Sequence, residues 1–477
     1  MSNPGRPNVV WLFPDEWRHD AVGYAGNRAV RTPNLDALAA RGSVFSRAYC
    51  ESPVCQPSRA SLLTCSYPRE HGVTHNGWSA GPGPERDRLE RLMPLHLFPA
   101  PEGDTFPKRL QAAGYRTSVV GKLHLECPGR PVVDPFEYGF DEVSQEYDKV
   151  VLMRDGFDTE YTRYLDGLGL LDDWRRRQRE QHDILFGRDP QGRAAVPDPL
   201  PPEQTLDEHL GGRVCAAIER LAGGDEPFFL QAAFVGPHVP FDGPQPLADL
   251  HDPAEIELGP LGAEPRPDNL WGEYLDWMFD LLGCEHRSED ELRLMARQYY
   301  ANVALVDRQI GRIVAALEAA GVADRTWIAF SSDHGELIGD HGLINKGVFY
   351  EGSVRVPALL VPPGGGPPAR SDELVQGLDV VATILELAGA DRSGLAGRSL
   401  LGPGGRDDVV SEIGVFTMAA TRDWKIVVET ATAAPQALWN LRADPDERHD
   451  VLAEEGGVAA ELVERHVRPY LEGVRRP

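Results

Sequence analysis

Cysteine is scarce in this chain, with six in 477 residues (Cys50, Cys55, Cys65, Cys127, Cys215 and Cys284). None stands in a CxxC pair and the density is too low for a disulfide scaffold, which excludes zinc-ribbon and disulfide-stapled architectures. Basic residues are also in deficit, 48 Lys and Arg against 74 Asp and Glu, for a formal net charge of −26. A chain so charged has no broad positive field for nucleic acid or an anionic membrane surface. No apolar run reaches the roughly 18 residues that suggest a membrane span. The polar start Met1–Pro7 lacks the apolar core and small-residue cleavage site of a secretory signal. Internal repeats and low-complexity tracts are missing as well. These absences describe a soluble, cytoplasmic protein with reduced thiols. They also set a condition: an anionic substrate, repelled by the chain at large, needs a local cluster of cations.

What is present reads as a loop-rich globular enzyme, with 49 Gly, 40 Pro and 42% apolar residues. Apolar runs at Asn8–Phe13, Thr117–Val120, Phe228–Val235 and Thr326–Ser331 predict buried strands. Helical patterns lie between them: Leu35–Arg41 stopped by Gly42, Phe106–Ala113, and a long one over Glu289–Ala320 ended by Gly321. Such alternation predicts an α/β fold with a large, mostly parallel sheet sandwiched by helices. The charged stretch from about 150 to 205, with its WRRRQRE run at Trp174–Glu180, reads as a solvated surface insertion, and Pro362–Pro368 as a loop. Past about residue 405 the pattern shifts to short strands at Val409–Ile413, Trp424–Val428 and Ala437–Asn440, closed by a helix from about Gly457 to Val474. The division is a catalytic domain over 1–405 and a smaller α+β subdomain over 406–477.

Each of the four buried strands runs into polar residues. Asp15 and Glu16 follow the first, Lys122 and His124 the second, His238 the third, and Asp333 and His334 the fourth. Ligands of open α/β sheets bind beyond the carboxyl ends of the strands, so these groups converge there. Carboxylates, imidazoles and an ammonium in one place suit a hard cation together with an anionic substrate. A fifth element is Cys55-Gln56-Pro57-Ser58-Arg59. Pro57 fits the first turn of a helix, which sets Cys55 at a helix N-terminus. By itself this leaves two readings open, a low-pKa thiolate nucleophile or a structural cysteine.

Cys55 to Thr64 (CQPSRASLLT) resembles the signature of the type I, formylglycine-dependent sulfatases of the alkaline phosphatase superfamily. The resemblance continues in order through Pro7–Asp20, Thr32–Asp36, Gly121–His124, Pro237–Phe241 and Ser332–Lys346. It implies that a formylglycine-generating enzyme oxidises Cys55 to formylglycine. It implies one divalent cation, Ca2+ first with Mn2+ or Mg2+ as alternatives, on Asp15, Glu16, Asp333, His334 and residue 55. Arg59 would hold the formylglycine hydrate, Lys122 and Lys346 would neutralise sulfate oxygens, His238 would protonate the leaving alcohol and His124 would take a proton from the hydrate. The implied reaction is hydrolysis of a small sulfate ester to an alcohol and inorganic sulfate.

Two departures stand out. Glu16 is longer than the family's usual Asp, and Cys65 stands where the signature ends in Gly, which predicts a different turn after the helix. Of the remaining candidates, Asp20 reads as structural, the Asp340-His341 pair as a loop or supporting element, and His71, His75 and His96 as surface or loop histidines, with pocket lining left open for His75, Asn76 and Trp78. Cys50 and Cys127 carry no evident chemistry. Two competing functions stay open: a phosphonate or phosphate ester hydrolase of the same superfamily, and a non-catalytic binding protein that keeps the fold. The Lys122-x-His124 pair, which the related phosphonate hydrolases lack, favours the sulfatase.

Overall fold

The computed structural model of the chain describes residues 5–77, 84–94, 103–125, 134–187, 195–402 and 404–473. Trp78, His96 and Cys127 lie outside the described residues.

Eight strands form the main sheet: β1 Asn8–Leu12, β2 Ser43–Tyr49, β3 Arg116–Lys122, β4 Glu142–Glu146, β5 Phe228–Ala233, β6 Thr326–Ser331, β7 Arg355–Val361 and β8 Ala369–Gln376. Their order is β4-β3-β5-β1-β6-β7-β2-β8. Only β7 runs against its neighbours β6 and β2, so the sheet is mostly parallel, as the alternation predicts. β1 and β5 are buried along their whole length, which explains why both read as continuous apolar runs: helices cover both faces of a parallel sheet. The long helix Glu289–Ala319 is one of these covers, started by a Ser288–Glu291 capping box.

The second sheet is antiparallel, in the order β12-β11-β10-β9, with β9 Val409–Ile413, β10 Phe416–Ala420, β11 Trp424–Glu429 and β12 Pro435–Asn440. Strand β10 has no counterpart among the sequence expectations. The terminal helix is not one element. It runs Gly456–Leu462, widens into a π turn over Val463–Val467 and resumes as Arg468–Leu471. Pro469, which has no N–H to donate, follows the widened turn, and Leu462, Val463 and Val467 all stay buried against the small sheet. The apolar core is continuous from the main sheet into Ile413, Phe416 and Met418, so the two sheets share one interior.

The expected surface insertion is instead packed. Its helix Leu171–Leu185 buries Trp174, Gln178, Gln181 and Leu185, an i, i+4, i+7, i+11 stripe, and turns most of its arginines outward. The charge run is only the outer face of an amphipathic helix. The turn after the signature helix also departs from expectation: Cys65 adopts the left-handed conformation (φ 57°) that glycine would.

The small sheet anchors the segment 349–351. Lys425 of β11, fully buried, donates to the Phe349 carbonyl (2.8 Å) and to Glu447 (2.6 Å), and lies 2.8 Å from Glu351. Glu447 in turn accepts from the Glu351 N–H at 2.7 Å. Lys425→Met should leave the buried Glu447 without its ion-pair partner and Glu351 with Arg355 alone, and the urea-unfolding midpoint should fall by the equivalent of about 3–5 kcal/mol. An unchanged midpoint would show that the network does not hold the two sheets together.

Candidate active site

The carboxyl ends of β1, β3, β5 and β6 meet the N-terminus of the helix Cys55–Thr64 in one buried cluster. Asp15, Cys55, Asp333 and His334 each present a potential ligand atom, all within 4.8 Å of one another. His334 Nε2 lies 3.1 Å from Cys55 Sγ and 3.6 Å from Asp15 Oδ1. Its Nδ1 is held by the Gly335 carbonyl at 2.9 Å, which aims Nε2 into the cluster. Asp333 is tied by the Glu16 N–H (3.0 Å) and by Arg59 Nε (2.7 Å). Glu16 forms a second group of possible ligands with Asp15 and His238. Its backbone is in the left-handed region (φ 65°), and the Tyr299 hydroxyl donates to its carbonyl at 2.8 Å. Left-handed geometry at a residue with a Cβ is strained and concentrates at functional sites.

Cations ring this cluster. Lys122 Nζ is 2.5 Å from Asp15 Oδ2, and Arg59 reaches the same oxygen at 3.2 Å. Lys346 Nζ donates to Glu16 Oε2 at 2.7 Å, and His238 Nε2 lies 3.4 Å from that oxygen. Gly121 makes the approach of Lys122 possible. It has φ +113°, and a Cβ there would fall 1.9 Å from the Ala233 carbonyl oxygen of β5.

Protonation states follow from burial and these neighbours. Burial opposes charge on Asp15, but Lys122, His238, Arg59 and Lys346 overcome it and hold the carboxyl well below its ordinary value. For Glu16 burial prevails over Lys346, and the nearby Glu336 adds to the rise. Burial, then Lys122, lowers His124 well below the imidazole range, so its ring is neutral, and its Nδ1 is enclosed without a hydrogen-bond partner. Burial, Lys346 and Lys122 lower His238 likewise, and its Nδ1 sits 2.8 Å from the Val239 carbonyl. Burial and Asp15 push the Cys55 thiol up to about 12. Burial therefore works against a low-pKa thiolate at this helix N-terminus, although Lys346 and Lys122 favour one.

This geometry agrees with the comparisons to known proteins. The family model described as Sulfatase matches residues 7–390. The chain belongs to the sulfatase family. The arylsulfatase of Clostridium perfringens is 28% identical over 399 residues, covering 80% of this chain and 75% of its own. The choline-sulfatase of Rhizobium meliloti is 26% identical over 463 residues, covering 92% and 81%. Among solved structures, the phosphonate monoester hydrolase of Agrobacterium radiobacter superposes with a TM-score of 0.76 at 25% identity, over 99% of this chain and 96% of that one. As a sulfatase the chain is a hydrolase of sulfuric esters.

In this sulfatase the buried cluster gathers Asp15, Glu16, Cys55, Arg59, Lys122, His238, Asp333, His334 and Lys346. Other sequence candidates fall outside it. Arg18 pairs with Asp20 and with Asp340, and His341 pairs with Glu264 and stacks on Tyr350. His71 bonds Ser61. Both ring nitrogens of His75 are used, on Pro94 O and the Gly77 N–H, so it braces a loop and does not line the cluster. Asn76 accepts from the Gln56 N–H at 2.9 Å and so caps the signature helix. Sequence reasoning missed Asp148, whose Oδ2 lies 3.0 Å from Lys122 Nζ. It follows β4, a polar edge strand (EVSQE) with no apolar run to mark it.

A fully buried thiol with so high a pKa should resist alkylation. In protein made without a converting enzyme, native Cys55 should stay unlabelled by iodoacetamide at neutral pH and react once the chain is unfolded. Rapid native labelling at Cys55, read by peptide mass spectrometry, would contradict the geometry.

Proposed function

We propose that this chain hydrolyses a small sulfate ester to an alcohol and inorganic sulfate, with formylglycine at position 55 and one divalent cation. The convergence of Asp15, Cys55, Asp333 and His334 inside a ring of Arg59, Lys122 and Lys346 carries the reading. The donor set fits the cation. Two carboxylates, one imidazole and an oxygen on oxidised residue 55 favour a hard ion, Ca2+ before Mn2+ or Mg2+. Glu16, grouped with Asp15 and His238, is a further oxygen donor for it. When bound, the cation supplies charge that lowers the pKa of a hydroxyl and withdraws electrons from an oxyanion.

The hydrate of residue 55 supplies one hydroxyl to attack sulfur and a second whose collapse to the aldehyde expels sulfate. Arg59, fixed on Asp333, orients that residue. Lys122 and Lys346 bind sulfuryl oxygens. His124, neutral and with an enclosed free nitrogen, accepts the proton of the second hydroxyl. His238 protonates the departing alcohol. A seated sulfate ester brings negative charge between Lys346 and His238, which opposes the depression of the imidazole pKa. Because Cys55 is wholly buried, the oxidising enzyme must act before the fold closes over it. None of the five described cysteines is in a disulfide, which supports a reducing, cytoplasmic setting. Among the described residues no helix is long and apolar enough to cross a membrane.

The likeness to a phosphonate monoester hydrolase keeps one second reading, a phosphonate or phosphate ester substrate. The Lys122-x-His124 pair supports sulfate. A panel of sulfate, phosphate and phosphonate esters should rank the sulfates first in kcat/KM. In active enzyme the peptide holding residue 55 should carry the aldehyde. Active enzyme whose residue 55 is wholly a thiol would overturn the mechanism.

Asp333→Ala should abolish turnover and reduce the metal content of the purified protein by elemental analysis. Full metal loading of that variant would remove Asp333 from the ligand set. Lys122→Ala and His238→Ala should each lower kcat by about 10²–10³. The His238→Ala loss should be smallest for esters of acidic phenols, which depart without a proton. Equal losses across leaving groups would remove His238 from the acid role.

A further inference from the structure

We propose that the consecutive residues Asp148 and Lys149 form a positioning clamp that fixes Lys122 relative to the loop carrying His238. The inference rests on the roles given above to Lys122 and His238. Both clamp residues are buried, at 5% exposure each, where the chain leaves β4 and starts the short helix Lys149–Leu152. Asp148 caps that helix, its Oδ1 accepting the Val151 N–H at 2.9 Å, which leaves Oδ2 for Lys122 Nζ at 3.0 Å. Its neighbour reaches the other way. Lys149 Nζ donates to the carboxylate of Asp242 and to the Pro240 carbonyl (3.3 Å), both on the segment just past His238. Asp242 is held further by Gln178 of the helix Leu171–Leu185 at 2.7 Å, and its carbonyl accepts the Asp198 N–H at 2.9 Å.

Two adjacent side chains of opposite charge therefore grip two catalytic segments that come from different strands. β3 delivers Lys122 and β5 leads to His238, and no covalent link shorter than about a hundred residues joins them. Adjacent residues on one short helix have almost no freedom to change their separation, so the clamp converts a long-range distance into a local one. Lys122 gains a second consequence. Asp15 and Asp148 pair with its ammonium at 2.5 and 3.0 Å, which restricts the directions from which a sulfuryl oxygen can approach it. The packed helix Leu171–Leu185 braces the clamp through Gln178.

A double-mutant cycle on kcat/KM tests this. Asp148→Asn keeps the helix cap, so the fold should survive. It should lose on the order of 10–100-fold, the scale of a small misplacement of a catalytic group. In a Lys122→Ala background the same change should cost less than about twofold, because its effect runs through Lys122. Lys149→Met combined with Asp242→Asn removes both buried charges of the second grip. It should lower kcat more for alkyl than for activated aryl sulfates, whereas a plain loss of folded enzyme would lower both equally. Additive losses in the cycle, a silent Asp148→Asn or an unchanged alkyl-to-aryl ratio would overturn the clamp while Lys122→Ala and His238→Ala still show their own defects. If those two single variants were themselves unimpaired, the catalytic roles would fail and the clamp with them.

Discussion

The site is organised around a carboxylate that stays ionised while shielded from solvent. Asp15 is fully buried, and taking such a group out of solvent costs several kcal/mol. It stays charged only because Lys122, His238, Arg59 and Lys346 surround it. Those same cations are the groups an oxyanion needs. The demand for charge compensation and the demand for substrate recognition are met by one arrangement, which is how a chain of net charge −26 can offer a sulfate ester a favourable place. Arg59, Lys122 and Lys346 face Asp15, Glu16, Asp148 and Asp333. A divalent ion bound among those carboxylates would turn the near-balanced cluster positive, and only at short range.

The fold supplies these groups from three independent supports. Parallel strands present their carboxyl ends on one edge, so β1, β3, β5 and β6 bring Asp15, Lys122, His238 and Asp333 together without any sequence proximity. The helix Cys55–Thr64 brings residue 55 and Arg59, and its Ser58 hydroxyl locks onto the Asp333 carbonyl at 2.7 Å. Lys346 has neither strand nor helix beneath it. It sits on a loop, and the segment just past it is pinned by Lys425 of the small sheet. The C-terminal unit thus contributes stiffness to the site without contributing a reacting group.

How much of this was legible depended on burial. Strands β1, β3, β5 and β6 are central and apolar, and the residues that follow them could be named from the sequence. Choosing Asp333-His334 over the similar Asp340-His341 needed only the observation that the first pair directly follows a strand. Edge strands were not legible: β4 (EVSQE) and β8 (ARSDELVQ) each have one side open and no apolar run, so Asp148 had no strand to announce it. The helix Leu171–Leu185 was hidden for a related reason. Two of its inward residues, Gln178 and Gln181, are amides that satisfy buried partners, so its stripe is polar and the arginines dominate the pattern. Cys65 shows the reverse error, in which a residue type argued for a changed turn and the backbone kept the turn regardless.

Glu16 is where this chain differs from a minimal version of its own site. The extra methylene carries its carboxylate past Asp15 to a point between Lys346 and His238, at 2.7 and 3.4 Å. Both partners are assigned to the substrate in the proposed mechanism. An entering ester would therefore compete with Glu16 for Lys346. Uniform affinity for the ground state is reduced by that competition. The transition state gains more, because charge then accumulates on the oxygens that face Lys346 and His238, and an interaction that strengthens only as the reaction proceeds is one that raises kcat. On this argument the longer side chain would keep the buried Lys346 oriented until the ester takes its place.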